Sequence, residues 1–215
     1  MKMCVLVLCA CAGAAFGQAL PVPSTLIQAT PADAAELDSL GIQGTPVYSS
    51  IPGPYAAFAS GTFATRDDYQ TTIPGGFATR FTMDQFKFVG GVSAVGGILD
   101  FFILEHNTNN VMASFGVQLG QAGDFIWTIT LNGGAGIGNI PAAGDVQIQT
   151  RGTTTGRWFM TTTAPLPGSN DNTFGHGSVL TPNKGYGAFE MQKLPAPGSL
   201  ALLGLGGLVA TRRRR

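Results

Sequence analysis

The strongest constraint on this chain is a two-residue beat of apolar side chains, repeated from residue 79 to residue 191 between glycine-rich turns. It is clearest at Phe125-Ile126-Trp127-Thr128-Ile129-Thr130-Leu131, where Phe125, Trp127, Ile129 and Leu131 share one face and Thr128 and Thr130 the other. Successive side chains of a strand point to opposite faces, so this beat predicts a half-buried strand. Asn132-Gly133-Gly134 then supplies a turn. Ile98-Leu99-Asp100-Phe101-Phe102-Ile103-Leu104 is apolar on both faces and reads as a central strand. Val111, Ala113, Phe115, Val117 and Leu119 alternate next. Residues 79–89 alternate with a bulge near Asp84-Gln85, where the register of Phe81 and Met83 gives way to that of Phe86 and Phe88.

Shorter runs lie at 145–150, 157–162 and 186–191, and turn clusters are read at Gly90-Gly91, Gly96-Gly97, 107–110 and 133–138. This spacing predicts an all-β fold, a jelly-roll-like antiparallel β-sandwich of about eight or more strands over residues 53–194. Its expected core is Phe81, Phe88, Phe101, Ile103, Phe115, Trp127, Ile129 and Leu131. Residues 18–52 read as a loose arm with one short helix, in which Thr30 caps, Pro31 starts, Asp33 favours the positive end of the dipole and Gly41 stops. Links at 51–54, 165–169 and 181–185 read as loops of one domain, and about 177 residues (18–194) suit one core.

The two ends carry the functional information. Pro195-Ala196-Pro197-Gly198-Ser199 precedes an uncharged, Leu- and Gly-rich stretch at 200–210, then Thr211 and four arginines, Arg212, Arg213, Arg214 and Arg215. The prolines keep helix from propagating backward, and Ser199 can cap the helix that follows. From 199 to 211 that helix measures about 20 Å against a hydrocarbon core of ~30 Å, a gap that snorkelling arginines narrow. Arg212, Arg213, Arg214 and Arg215 orient it with the C-terminus in the cytoplasm and the body outside. The arrangement resembles the PEP-CTERM sorting signal of Gram-negative bacteria, over residues 195–215, with Ala196 where the family has Glu. The resemblance implies export, a single membrane-anchoring helix in the inner membrane, and processing by an exosortase-type enzyme.

Residues 1–17 read as a signal peptide: Lys2, an apolar stretch at 5–15, and a small-x-small site at Ala15-Phe16-Gly17 before Gln18. Export machinery and signal peptidase are the expected partners. Leu8-Cys9-Ala10-Cys11 also has a loose likeness to a lipobox, with only a short apolar run before Cys11. Cys4, Cys9 and Cys11 all fall in this peptide, so the mature body has no thiol for a disulfide, a zinc site or a nucleophile. Without Lys2 and residues 212–215, seven Lys and Arg face twelve Asp and Glu, leaving the body at −5. That balance argues against nucleic acid as a partner.

Candidates for chemistry are few. His106 and His176 lack further ligands at metal-binding spacing, so no metal or cofactor is expected. Asp67-Asp68-Tyr69 and Ser169-Asn170-Asp171-Asn172 offer oxygens for a Ca²⁺, although Asp and Asn more often cap turns. Gly175-His176-Gly177-Ser178 lacks a nucleophile elbow, and the glycines of 133–138 lack the lysine of a phosphate loop. Trp158 and Phe159 point to opposite faces, so one of them can face outward and stack on a sugar ring. Asp100 and Glu105 flank the central strand on opposite faces and do not pair across a cleft. The expected function is therefore a non-enzymatic one, and the resemblance to PEP-CTERM proteins implies a surface or extracellular-matrix protein with extracellular polysaccharide as a further partner. The alternative is an exported glycan-active hydrolase or carbohydrate-binding module.

Overall fold

In the computed structural model, residues 19–29, 44–170, 173–176, 179–182 and 185–193 are described, without the side chains of 56–58, 77, 173–176 and 179–182. The strands are β1 (Leu26–Ala29), β2 (Thr45–Ser49), β3 (Tyr55–Gly61), β4 (Ala64–Gln70) and β5 (Arg80–Val92). They continue as β6 (Ile98–Leu104), β7 (Val111–Leu119), β8 (Gly123–Thr130), β9 (Ile137–Pro141) and β10 (Ala143–Thr150). The last are β11 (Gly156–Thr161), β12 (Thr173–His176), β13 (Val179–Pro182), β14 (Tyr186–Gly187) and β15 (Phe189–Lys193). Among the described residues the only helical pieces are 3-10 turns at Gly76–Ala78 and Leu131–Gly134. The fold is all-β and β-sandwich-like, as the alternation predicts.

One sheet runs β1-β7-β6-β10-β4-β12-β13, with β6 inside it. The other runs β14-β11-β5-β15-β2, with β3 on β11 and both β8 and β9 on β5. Pairing is antiparallel except between β1 and β7, which run parallel. The expected arm thus delivers two strands to the sheets, β1 and β2. Four and five residues are too few for a period to stand out from noise, so neither strand is readable locally.

Their anchoring is long-range. The amide of Leu20 donates to Gln149 Oε1 at 2.8 Å, and Gln149 Nε2 donates back to the Leu20 carbonyl at 2.9 Å. The Gly116 amide donates to the Thr25 carbonyl at 2.7 Å. The expected helix at 31–40, the signal peptide with Ala15, Gly17 and Gln18, and everything from residue 194 lie outside the described residues.

The inner faces of both sheets meet in one apolar core that contains all eight expected residues. Phe101 of β6 stacks on Phe115 of β7, and Phe86 of β5 stacks on Phe189 of β15. The sheets touch where Phe86 meets Phe101 edge-on, with ring centroids 5.3 Å apart. Full burial of each such ring contributes roughly 1.5–3 kcal/mol. The indole of Trp127, fully buried, donates to the Gly90 carbonyl at 2.9 Å, so its polar atom is satisfied.

Strand β5 spans thirteen residues because it carries the expected bulge. Lys193 pairs with Met83 and Gln192 with Gln85, passing over Asp84. The extra residue lets Phe81 and Met83 before it, and Phe86 and Phe88 after it, all face the core. Without it, one of these pairs would turn outward. Asp84 is buried, and Gly44 packs so closely that a Cβ there would lie 2.5 Å from Asp84 Oδ1.

Burial raises the Asp84 carboxyl pKa above its ordinary value, partly countered by backbone N–H groups including that of Gln85. A folded pKa above the unfolded one means that ionisation costs stability. The loss is absent at acid pH and grows as pH rises from the ordinary carboxylate range through the folded value. Asp84→Asn should therefore raise the Tm at about pH 7, with the gain vanishing below about pH 4. Melting curves of both proteins at the two pH values check this; equal Tm at neutral pH would contradict it.

Candidate functional site

The second sheet carries a row of four residues directly across four strands. Ser60 of β3 pairs with Arg157 of β11, Arg157 with Gly91 of β5, and Gly91 with Asp124 of β8. All four lie on the outer face, because their neighbours Ala59, Trp158 and Val92 are buried in the core. Gly91 has no side chain, which lets Arg157 Nη1 reach across β5 to Asp124 Oδ2 at 2.7 Å. The backbones are close here: a Cβ on Gly91 would lie 1.7 Å from the Gly123 carbonyl oxygen. Glycine within a strand marks such an approach. The reading of Gly90-Gly91 as a turn is corrected accordingly; both lie inside β5.

Above this row opens a cleft of about 430 Å³, rimmed by the hydroxyls of Ser60, Ser93 and Thr155. Ser93 Oγ is hydrogen-bonded to Thr155 Oγ1 and to the Thr155 carbonyl. The Arg157 and Asp124 side chains are 54% and 28% exposed, so the pair is open to exchange its partners with a ligand. Two residues along β11 on the same face, Phe159 is half-buried with its ring centroid 5.8 Å from that of Tyr55. Tyr55 is 40% exposed and donates its hydroxyl to the Ile51 carbonyl at 2.7 Å, which fixes the ring. Of the two aromatics at 158–159, Phe159 is the outward one; Trp158 is fully buried.

The first sheet carries a different cluster on its outer face. Arg66 of β4 donates through Nε to Asp145 Oδ2 of β10 at 3.0 Å, both side chains being almost fully buried. Its Nη1 donates to Asn109 Oδ1 at 3.1 Å, and its Nη2 to the Thr108 carbonyl. Asp145 also accepts from the Asn107 amide at 3.0 Å and meets His106 Nδ1 at 2.8 Å. Burial lowers the Arg66 pKa, and the adjacent Asp145 works against that shift. His106 therefore holds the 105–110 turn to the sheet. A nearby cleft of about 270 Å³ is lined by His106, Asp68, Ser169 and Asn170.

The two segments weighed as calcium oxygens do meet. Asp67 and Asp68 lie inside β4, not in a capped turn, and Asn170 Nδ2 donates to Asp67 Oδ2 at 2.9 Å. Asp171 and Asn172 lie outside the described residues. Among the described residues, no three His, Cys, Asp or Glu side chains converge as metal ligands. Asp100 faces outward from β6 and is held by Arg151 Nε at 3.0 and 3.1 Å, while Glu105 accepts from Asn110. The sorting residues Pro195, Ala196, Pro197, Gly198 and Ser199, and Arg212, Arg213, Arg214 and Arg215, lie outside the described residues. No helix among the described residues is long and apolar enough to cross a membrane.

Sequence reasoning missed Arg157, Asp124 and Gly91 as a unit, since their partners are 33 and more residues apart. No local signal could have found them, because Gly90-Gly91 lie near the end of β5 and read as a turn. No protein-family model matches this chain, and no curated protein is significantly similar to it.

Proposed function

We propose that the chain is an exported, non-enzymatic surface or matrix protein, anchored by its C-terminal helix or processed there by an exosortase-type enzyme, and associated with extracellular polysaccharide. Its strand order, with β10 between β6 and β4 and β15 between β5 and β2, supports a jelly-roll-like wiring. The observation that carries the non-enzymatic part is the acid content of the clefts. Among the described residues, the larger is lined by one carboxylate, Asp124, already paired with Arg157, and the smaller by one, Asp68. Glycoside hydrolysis needs two carboxyl groups about 5–10 Å apart across the scissile bond. The export and anchoring part rests on residues 1–17 and 195–215.

Intact-mass measurement of the native protein from fractionated cells tests that part: loss of residues 1–17 is expected, with the body in the envelope or medium. Deleting residues 194–215 should release a cooperatively folded body into the soluble exported fraction, because the tag shows no strand pattern to add to the sheets. A truncated body that stays membrane-bound, or that melts without cooperativity, would overturn the sorting-tag reading.

A further inference from the structure

We infer that the cleft over Ser60, Arg157, Gly91 and Asp124 binds a neutral sugar residue, with Arg157 and Asp124 engaging two adjacent hydroxyls. The inference rests on the surface-protein reading above and adds to it the site and the ligand chemistry.

A vicinal diol needs a donor and an acceptor side by side, because each hydroxyl both gives and takes a hydrogen bond. Arg157 Nη1 and Asp124 Oδ2 stand 2.7 Å apart at the open surface and supply that combination. Ser60, Ser93 and Thr155 add hydroxyls around the rim. Gly91 between them is buried under the ion pair, which lies low across β5 for want of a side chain there, so a flat ring can settle over the pair. The cleft volume of about 430 Å³ falls in the range of small-molecule sites, roughly 300–1,000 Å³.

Beside it, Phe159 and Tyr55 present an apolar surface for the C–H face of a neighbouring sugar unit. The Tyr55 hydroxyl is already committed to Ile51, so the ring is held in place before any ligand arrives. Pre-set aromatics lose little freedom on binding. The ligand is neutral by charge balance: the site carries one cation and one anion, and the body around it stands at −5. A polyanion would meet net repulsion.

Affinity electrophoresis of the full-length protein in detergent micelles tests this, with dextran, mannan or galactan in the gel and alginate as the polyanionic comparison. At least one neutral polymer should retard the protein, and alginate should not. Arg157→Ala and Asp124→Asn should each weaken the retardation at least about ten-fold, the scale of a charge-assisted hydrogen bond. Ser93→Trp, which fills the cleft from an exposed position, should abolish it while leaving the Tm at the wild-type value. Lys87→Ala, on the same sheet face away from the cleft, should change nothing. Retardation by alginate alone, by no polymer, or undiminished in Arg157→Ala and Ser93→Trp would overturn the inference. None of these outcomes bears on export or anchoring, which the intact mass and the truncation decide separately.

Discussion

Arg66→Ala should destabilise the fold by about 3–5 kcal/mol, the cost of removing one partner from a buried ion pair. The substitution deletes the guanidinium that holds Asp145, Asn109 and the Thr108 carbonyl at once. Asp145 stays behind, 3% exposed, with only His106 and the Asn107 amide to compensate it. For a domain of this size the Tm should fall by about 10 °C. Arg66→Lys should recover only part of the loss, since an ammonium cannot serve three acceptors in one plane. The double change Arg66→Met with Asp145→Leu should cost far less than Arg66→Ala alone, because neither charge is then left buried. Urea denaturation of the four proteins measures this. A double variant as unstable as the single one would mean that the cluster acts through packing and not through charge.

Gly91→Val should cost about 3 kcal/mol and uncouple Arg157 from Asp124. Any Cβ at this position meets the Gly123 carbonyl oxygen at 1.7 Å and the Asp124 Cα at 3.3 Å. The start of β8 must therefore move away from β5. Overpacking of this kind typically costs about 1–3 kcal/mol, and a branched side chain sits at the upper end. A double-mutant cycle on Arg157 and Asp124 should show their coupling in the wild type and none in Gly91→Val. Retained coupling would show that the strands have room that the register does not suggest.

The inward-facing half of the fold was legible and the outward-facing half was not. Trp127, Ile129, Phe101 and Phe115 betray their strands because a core imposes its period on the sequence directly. The bulge at Asp84 was legible for the same reason, since the inward beat skips a step there. β4 was not, because Arg66, Asp67 and Asp68 break any apolar pattern; Arg66 finds its partners in β10 and in the 105–110 turn, and Asp67 finds its own at Asn170 and Gly187. Polar residues at 145, 147 and 149 alternate cleanly in β10 yet are all buried, so alternation gives the face and not its exposure. The row through Gly91 has no local signature at all. It exists only once β3, β11, β5 and β8 lie side by side.

Lys193, the last described residue, pairs with Met83 near one end of β5, while the Arg157 cleft opens near Val92 at the other. From Met83 to Val92 the strand covers up to about 30 Å at ~3.3 Å per residue. With the proposed anchor following directly after β15, an upright sheet would hold the cleft that far above the lipid headgroups. That stand-off is about three Debye lengths at ~0.1 M salt. Arg157 and Asp124 would thus sit beyond the electrostatic reach of the lipid surface. Ligand affinity at the cleft should then be the same in vesicles of neutral and of anionic lipid.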